Sequence, residues 1–237
     1  MSGMFKFPHS LILGIASVFV ICVGQAKADV VVLTFEGLRD QETVQNFYNG
    51  GLGGGGSGPG PNFGIIFSAN ALAVIDSDAG GIGNIGGEPS PDTALFFLTG
   101  AAATMNVSAG FDTGFSFFYS AISQPGVVRV YSGLNATGDL LATLNLPLTP
   151  FNGAPDPTGQ FSPLVPFGVS FSGIARSVDF GGTVNQIAFD NITLGSSIPG
   201  PPTAVPEPAT MILLGTGLAG VAAKVRKRRK ARNNEEA

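Results

Sequence analysis

The chain has 237 residues, with 35 glycines and 19 phenylalanines but one cysteine, one histidine and no tryptophan. Its charge is partitioned: residues 29–205 hold thirteen acids against three bases (Arg39, Arg129 and Arg176), a formal charge near −10 without a single lysine. So acidic a middle excludes electrostatic binding of nucleic acid or anionic lipid, and it suits a soluble surface that gathers divalent cations.

The first 28 residues read as a secretory signal peptide. A basic start is followed by a 13-residue apolar run at 11–23, and then Ala26 and Ala28 supply the small residues of an A-x-A cleavage site, with the cut after Ala28. That run is too short to cross a bilayer core of about 30 Å as a permanent helix. The rival reading is an uncut N-terminal anchor. Cleavage removes Cys22 and His9, leaving neither thiolate nor imidazole. Zinc sites of the usual kind, Ser-His-Asp triads and Cys-His nucleophile pairs are then excluded.

Residues 29–195 are enough for one well-cored domain. Short β-rich runs recur between Gly, Pro, Asn and Asp clusters, at 30–35, 64–67, 71–75, 94–99, 104–109, 114–121, 127–131, 140–146, 167–171, 177–180 and 184–194. One or two helical turns are expected at 41–48. The pattern predicts an all-β, jelly-roll-like β-sandwich with a phenylalanine-rich core. In 114–121, Phe115, Phe117 and Tyr119 share one face. In 186–194, Ile187 and Phe189 have the opposite parity to Ile192 and Leu194, which predicts a β-bulge at Asp190-Asn191.

The glycine-rich loops at 49–61 and 79–91 are not phosphate loops, since no Gly-Lys-Ser/Thr follows either. Asp76-Ser77-Asp78 resembles the opening of a calcium loop but lacks its third acid and distal glutamate, so a turn is the expectation. Thirteen acids make some pair at glycosidase spacing inevitable, which gives that pattern no specificity. The expectation is a protein that is not an enzyme; the alternative is a polysaccharide hydrolase or lyase working through carboxylates.

Phe35-Glu36-Gly37-Leu38 closes the first strand, and Phe189-Asp190-Asn191-Ile192 lies in the last. The arrangement resembles many extracellular jelly rolls, carbohydrate-binding modules among them. The resemblance implies a structural Ca²⁺ held by Glu36 and Asp190, with Asp40 as a third ligand, and hard oxygen donors favour that ion. The alternative is that these acids cap turns or face solvent.

Residues 196–204 (SSIPGPPTA) read as a proline-rich stalk. Val205, Pro206, Glu207 and Pro208 follow, then an apolar segment at 211–223, then a basic cluster of Lys224, Arg226, Lys227, Arg228, Arg229, Lys230 and Arg232. The segment is at the short limit for a transmembrane helix, and the basic cluster fixes the cytoplasmic side. The prolines keep the chain extended just outside the membrane, where a processing enzyme can grip it.

This tripartite tail, 205–237, resembles the PEP-CTERM sorting signal, also catalogued as an ice-binding-protein C-terminal domain; that label does not imply ice binding. The resemblance implies recognition by an exosortase, a membrane-embedded cysteine transpeptidase that cuts near Pro206-Glu207-Pro208. It implies export through the inner membrane, transient anchoring with a cytoplasmic C-terminus, and a final place at the cell surface or in an exopolysaccharide matrix. The rival reading is a plain anchor that is never cut. Phe35–Leu38 and Phe189–Leu194 also resemble β domains found joined to such tails, a likeness that brings no activity with it.

Overall fold

Strands form where apolar residues alternate between glycine- and proline-rich turns, because only one face of each strand meets the core. The computed structural model describes residues 30–149, 151, 156 and 159–200. The signal peptide and the sorting tail lie outside the described residues, as does the stalk beyond Gly200. Among the described residues there are eleven strands and no helix long and apolar enough to cross a membrane. They are β1 (Val31–Leu33), β2 (Ile65–Phe67), β3 (Leu72–Ile75), β4 (Thr93–Phe96), β5 (Ala102–Phe111), β6 (Gly114–Ser120), β7 (Gly126–Tyr131), β8 (Leu140–Leu146), β9 (Val165–Ser170), β10 (Ala175–Gly181) and β11 (Ala188–Leu194).

Two antiparallel sheets result. One runs β3-β4-β11-β6-β9, with β1 also paired to β11; the other runs β2-β5-β10-β7-β8. β6 lies along one edge of β11, while β4 meets the other edge at Phe189 and β1 meets it at Ile192–Leu194. The last strand is therefore central, and all seven of its residues are buried.

The sheets face each other across aromatic rings. Phe180 of β10 packs edge-on against Phe115 and Phe117 of β6 and Phe189 of β11, with centroids 6.0, 6.4 and 5.1 Å away. Phe115, Phe117 and Tyr119 point inward as the alternation predicts, and Tyr119 donates its hydroxyl to Pro147 O at 3.0 Å. The opposite face of β6 is covered too: Ser116 Oγ donates to Ser196 O at 2.9 Å, so the first residues of the expected stalk still lie on the domain.

The expected helix at 41–48 is not formed. Gln41 and Gln45 have φ of 57° and 42°, outside helical geometry. The main-chain groups of this segment serve the edge of β3 instead: Gln41 N–H donates to Ala73 O, Val44 N–H to Ala71 O, and Ala73 N–H to Glu42 O. Pairing with a sheet edge overrides the local helical propensity of Gln and Glu.

The bulge in β11 is present. Asp190 pairs with Phe118 and Thr193 with Ser116, so Asn191 and Ile192 together oppose Phe117. Asn191 takes φ 45°, a left-handed value that asparagine tolerates. The extra residue brings Ile192 and Leu194 back onto the core face that Phe189 occupies.

Because Phe180 joins rings from both strands of the facing sheet, Phe180→Ala leaves a cavity that neither sheet can fill. We expect a loss of about 3–5 kcal/mol, read from the shift in the urea-unfolding midpoint.

Candidate functional site

The bulge sets Asp190 against the start of the chain. Asp190 is fully buried, and both its oxygens accept hydrogen bonds: Oδ1 from Asn191 N–H (2.6 Å) and Ser90 Oγ (2.9 Å), Oδ2 from Ser90 N–H (3.1 Å) and Ser90 Oγ (2.8 Å). Ser90 Oγ also lies 3.2 Å from Thr34 O. Glu36 Oε1 accepts from Asp92 N–H (3.1 Å) and Thr93 N–H (2.9 Å), and Oε2 from Thr93 Oγ1 (3.2 Å). The buried Tyr48 hydroxyl accepts from Phe35 N–H at 2.6 Å. One polar seam thus joins the first strand, the last strand and the end of the β3–β4 loop.

Burial pushes the Asp190 carboxyl up to about 7 and the Glu36 charge adds to it, against the lowering effect of its Ser90 and Asn191 donors. Burial also raises the Tyr48 phenol, with the Asp190 and Glu36 charges acting in the same direction. Asn191, 1% exposed, leaves both amide atoms without a hydrogen-bond partner among the described residues.

The structure brings Glu36 and Asp190 to the same seam, as the sequence predicts, but Asp40 does not join them. Its Oδ1 accepts Ile75 N–H at 2.9 Å, on the edge of β3. A calcium ion at the seam would share these carboxylates with Ser90 and the main-chain donors they already hold, and would do so without Asp40.

A second acidic group lies at the other end of the same loop. Asp76, Asp78 and Asp156 have carboxylate oxygens within 4.8 Å of one another, the one such group of three among the described residues. Asp76-Ser77-Asp78 forms the expected turn after β3, with Gly80 N–H donating to Ser77 O and Gly81 N–H to Asp76 O. Burial, with Asp78 beside it, raises Asp76 to about 6. Burial and the charges of Asp76, Asp78 and Asp156 raise Glu88 to about 7.

Between these acidic ends lies a groove of about 410 Å³. Val74, Ile85, Phe96 and Ala188 make its apolar floor, with Phe161 beside them. Gln41, Asn84 and Asn185 put amides around it, and the exposed Ile82 and Leu98 form part of its rim. None of the lining residues is ionisable. Main-chain hydrogen bonds tie its walls together: Phe161 N–H to Asn84 O (2.8 Å), Asn185 N–H to Phe97 O (2.9 Å) and Gly83 N–H to Ile75 O (2.8 Å).

Sequence reasoning missed Glu42. It is 5% exposed, and its carboxylate accepts from Arg39 N–H (2.8 Å), Gly55 N–H (2.7 Å) and Ser57 N–H (3.0 Å). Burial opposes its charge, but the donors on Ser57, Arg39 and Gly55 outweigh it and hold the carboxyl below its ordinary value. The glycine-rich loop at 49–61 is therefore wrapped on a carboxylate. A side chain at Gly53 would meet Glu42 Oε1 at 2.6 Å, which explains why glycine stands there.

The described residues define an all-β protein of two facing antiparallel sheets with an uncharged groove. The tail matches the model of the PEP-CTERM protein-sorting motif at residues 204–229, so the chain carries a PEP-CTERM sorting domain. The motif implies export, with an exosortase as the processing partner. No curated protein matches the chain.

Among solved structures it is similar to a Bacillus subtilis glycoside hydrolase family 43 arabinoxylan arabinofuranohydrolase, crystallised with cellotetraose, at 20% identity and TM-score 0.36. That match covers 55% of this chain and only 26% of the hydrolase. A family 6 carbohydrate-binding module is similar at 17% identity and TM-score 0.34, over 57% of this chain and 95% of the module. The K3 cleaved adhesin domain of Lys-gingipain from Porphyromonas gingivalis W83 is similar at 15% identity and TM-score 0.28, over 71% of this chain and 92% of that domain.

The raised carboxyls set the pH dependence of stability. Asp190 and Asp76 bind protons more tightly when folded than at the ordinary aspartate value of 3.8. The stabilisation they give is fully present below about pH 4 and is lost as the pH rises through about 6 to 7. The protein should therefore melt at a higher temperature at pH 5 than at pH 8, and Asp190→Asn should shrink that difference. A melting temperature that rises from pH 5 to 8 contradicts this assignment.

Proposed function

We propose that the chain is a non-catalytic surface or extracellular-matrix protein, delivered by its PEP-CTERM tail and holding exopolysaccharide through its β-sandwich. The observation that carries the reading is a sorting motif at 204–229 attached to a domain with a pre-formed, uncharged groove. Small-ligand sites are commonly concave, largely apolar and furnished with a few fixed polar groups, at about 300–1,000 Å³. A groove without an ionisable lining residue holds no general acid or base, which favours binding over hydrolysis or elimination. Of the raised carboxyls, Asp190 is closed off by Ser90, and Asp76 and Glu88 are not among the residues that line the groove.

The strand order β4-β11-β6-β9 against β5-β10-β7-β8 supports reading the sandwich as a jelly roll, in which successive strands cross between the sheets. Residues 1–28 act as the export signal in this proposal, and 211–223 hold the chain in the inner membrane until Pro206-Glu207-Pro208 is cut.

The test is processing in the host. Glu207→Ala should leave the protein at its full tail-bearing mass in the membrane fraction, whereas the unaltered chain appears shortened at the surface or in the matrix. Normal shortening and release of the Glu207→Ala chain would overturn sorting through this motif.

A further inference from the structure

We infer that the groove lined by Gln41, Asn185, Phe96 and Phe161 is the saccharide site, and that its ligand class is a neutral polysaccharide and not a uronate-bearing one. The inference rests on the proposed binding function and assigns it a place and a chemistry.

The first argument is backbone geometry. Gln41 and Asn185 come from distant parts of the chain, yet both hold φ 57° and both line the groove. Left-handed backbone is uncommon outside glycine, and most unusual for a residue such as glutamine. Each is held there by its own main-chain donor: Gln41 N–H reaches Ala73 O and Asn185 N–H reaches Phe97 O, both at 2.9 Å. A backbone fixed in a sparsely populated conformation beside a cavity fits a side chain that is being aimed.

The second argument is hydrogen-bonding capacity left open to solvent, since Gln41 and Asn185 are both exposed. The side-chain amides of Gln41 and Asn185 make no hydrogen bond among the described residues, whereas Asn84 Nδ2 is already tied to Gln160 Oε1 at 3.1 Å. Each free amide offers a donor and an acceptor, the pairing that a sugar hydroxyl also offers. Phe96, Phe161, Val74 and Leu98 supply an apolar surface for the C–H face of a pyranose ring.

The third argument is charge. The lining carries none, while Asp76, Asp78 and Glu88 belong to the loop that forms one wall and Asp156, from the β8–β9 connection, lies beside Asp76 and Asp78, on a domain of formal charge near −10. A uronate would gain no cationic partner in the groove and would meet repulsion around it. A neutral chain escapes both penalties. Because the walls are already tied together, little ordering is needed when the ligand arrives.

The test uses the exported, processed protein from its host. Cellohexaose, laminarihexaose and mannohexaose serve as neutral probes in titration calorimetry, with a galacturonate hexamer as the anionic probe. Glycine suits both left-handed positions, so Gln41→Gly and Asn185→Gly remove the amides without straining the backbone. Asn145→Ala, on the exposed side of β8 in the other sheet, is the control.

The expected result is saturable binding of a neutral hexasaccharide, weakened at least tenfold in both glycine variants and unchanged in Asn145→Ala, with melting temperatures preserved. Binding that is indifferent to the glycine variants, or tighter for the galacturonate, overturns this inference. Co-sedimentation with the host's matrix polysaccharide is run in parallel and separates the two readings. Co-sedimentation without groove dependence sinks only the groove assignment, whereas no association with the polymer or with any hexasaccharide removes the polysaccharide-binding function itself.

Discussion

The buried Asp190 carboxyl accepts from Ser90 N–H, Ser90 Oγ and Asn191 N–H, and through Ser90 it fixes three distant segments at one point. Ser90 ends the long β3–β4 loop, Asp190 lies in the central strand, and Thr34, also within reach of Ser90 Oγ, follows β1. Glu36 repeats the connection a few ångströms of chain further on, through Thr93 N–H at the start of β4. A carboxyl with no solvent exposure is tolerable only because three donors, Ser90 N–H, Ser90 Oγ–H and Asn191 N–H, converge on it, and removing them would leave a buried acceptor costing about 1–3 kcal/mol. The bulge is what brings Asp190 to these donors while keeping Ile192 and Leu194 in the core.

The same loop makes the groove. It leaves β3 at the Asp76 turn, passes through Ile82, Gly83, Asn84 and Ile85 as one wall, and returns past Glu88 to Ser90 and Thr93. Its far end is fixed by Asp190 and Glu36, and its middle by the pairing of Ile85 with Phe161. The seam therefore acts at a distance on the groove, by holding the ends of the loop that shapes it. This places the structural acids and the ligand-facing amides in different parts of one construction, with charge kept out of the groove itself.

Much of the scaffold was legible from residue order because strand faces have a period of two. Each of the eleven expected runs overlaps a strand, and the parity break between Phe189 and Ile192 marks the bulge. Glu36 and Asp190 stood out because acids there interrupt apolar strand sequence. The 41–48 segment was misread because its composition favours a helix, and only the neighbouring edge of β3 decides otherwise. Asp40 looked like a third ligand by proximity in sequence, yet Ile75 N–H takes it. The groove was invisible because Gln41, Phe96, Phe161 and Asn185 meet only after the sheets assemble, and no local pattern marks them. Glu42 carried no signal either, since its partners are main-chain N–H groups, two of them in the glycine-rich loop. The sorting tail, by contrast, is a linear motif and needed no fold to be read.

The most direct measurement of the seam is the titration of the Asp190 carboxyl carbon by NMR in the folded, processed protein. The account predicts a midpoint near 7, far above the ordinary aspartate value, and a further rise in Ser90→Ala, where donors to the charged form are lost. A midpoint near 4, unmoved by Ser90→Ala, would mean that Asp190 is solvated and that the seam does not hold the first strand, the last strand and the groove loop together.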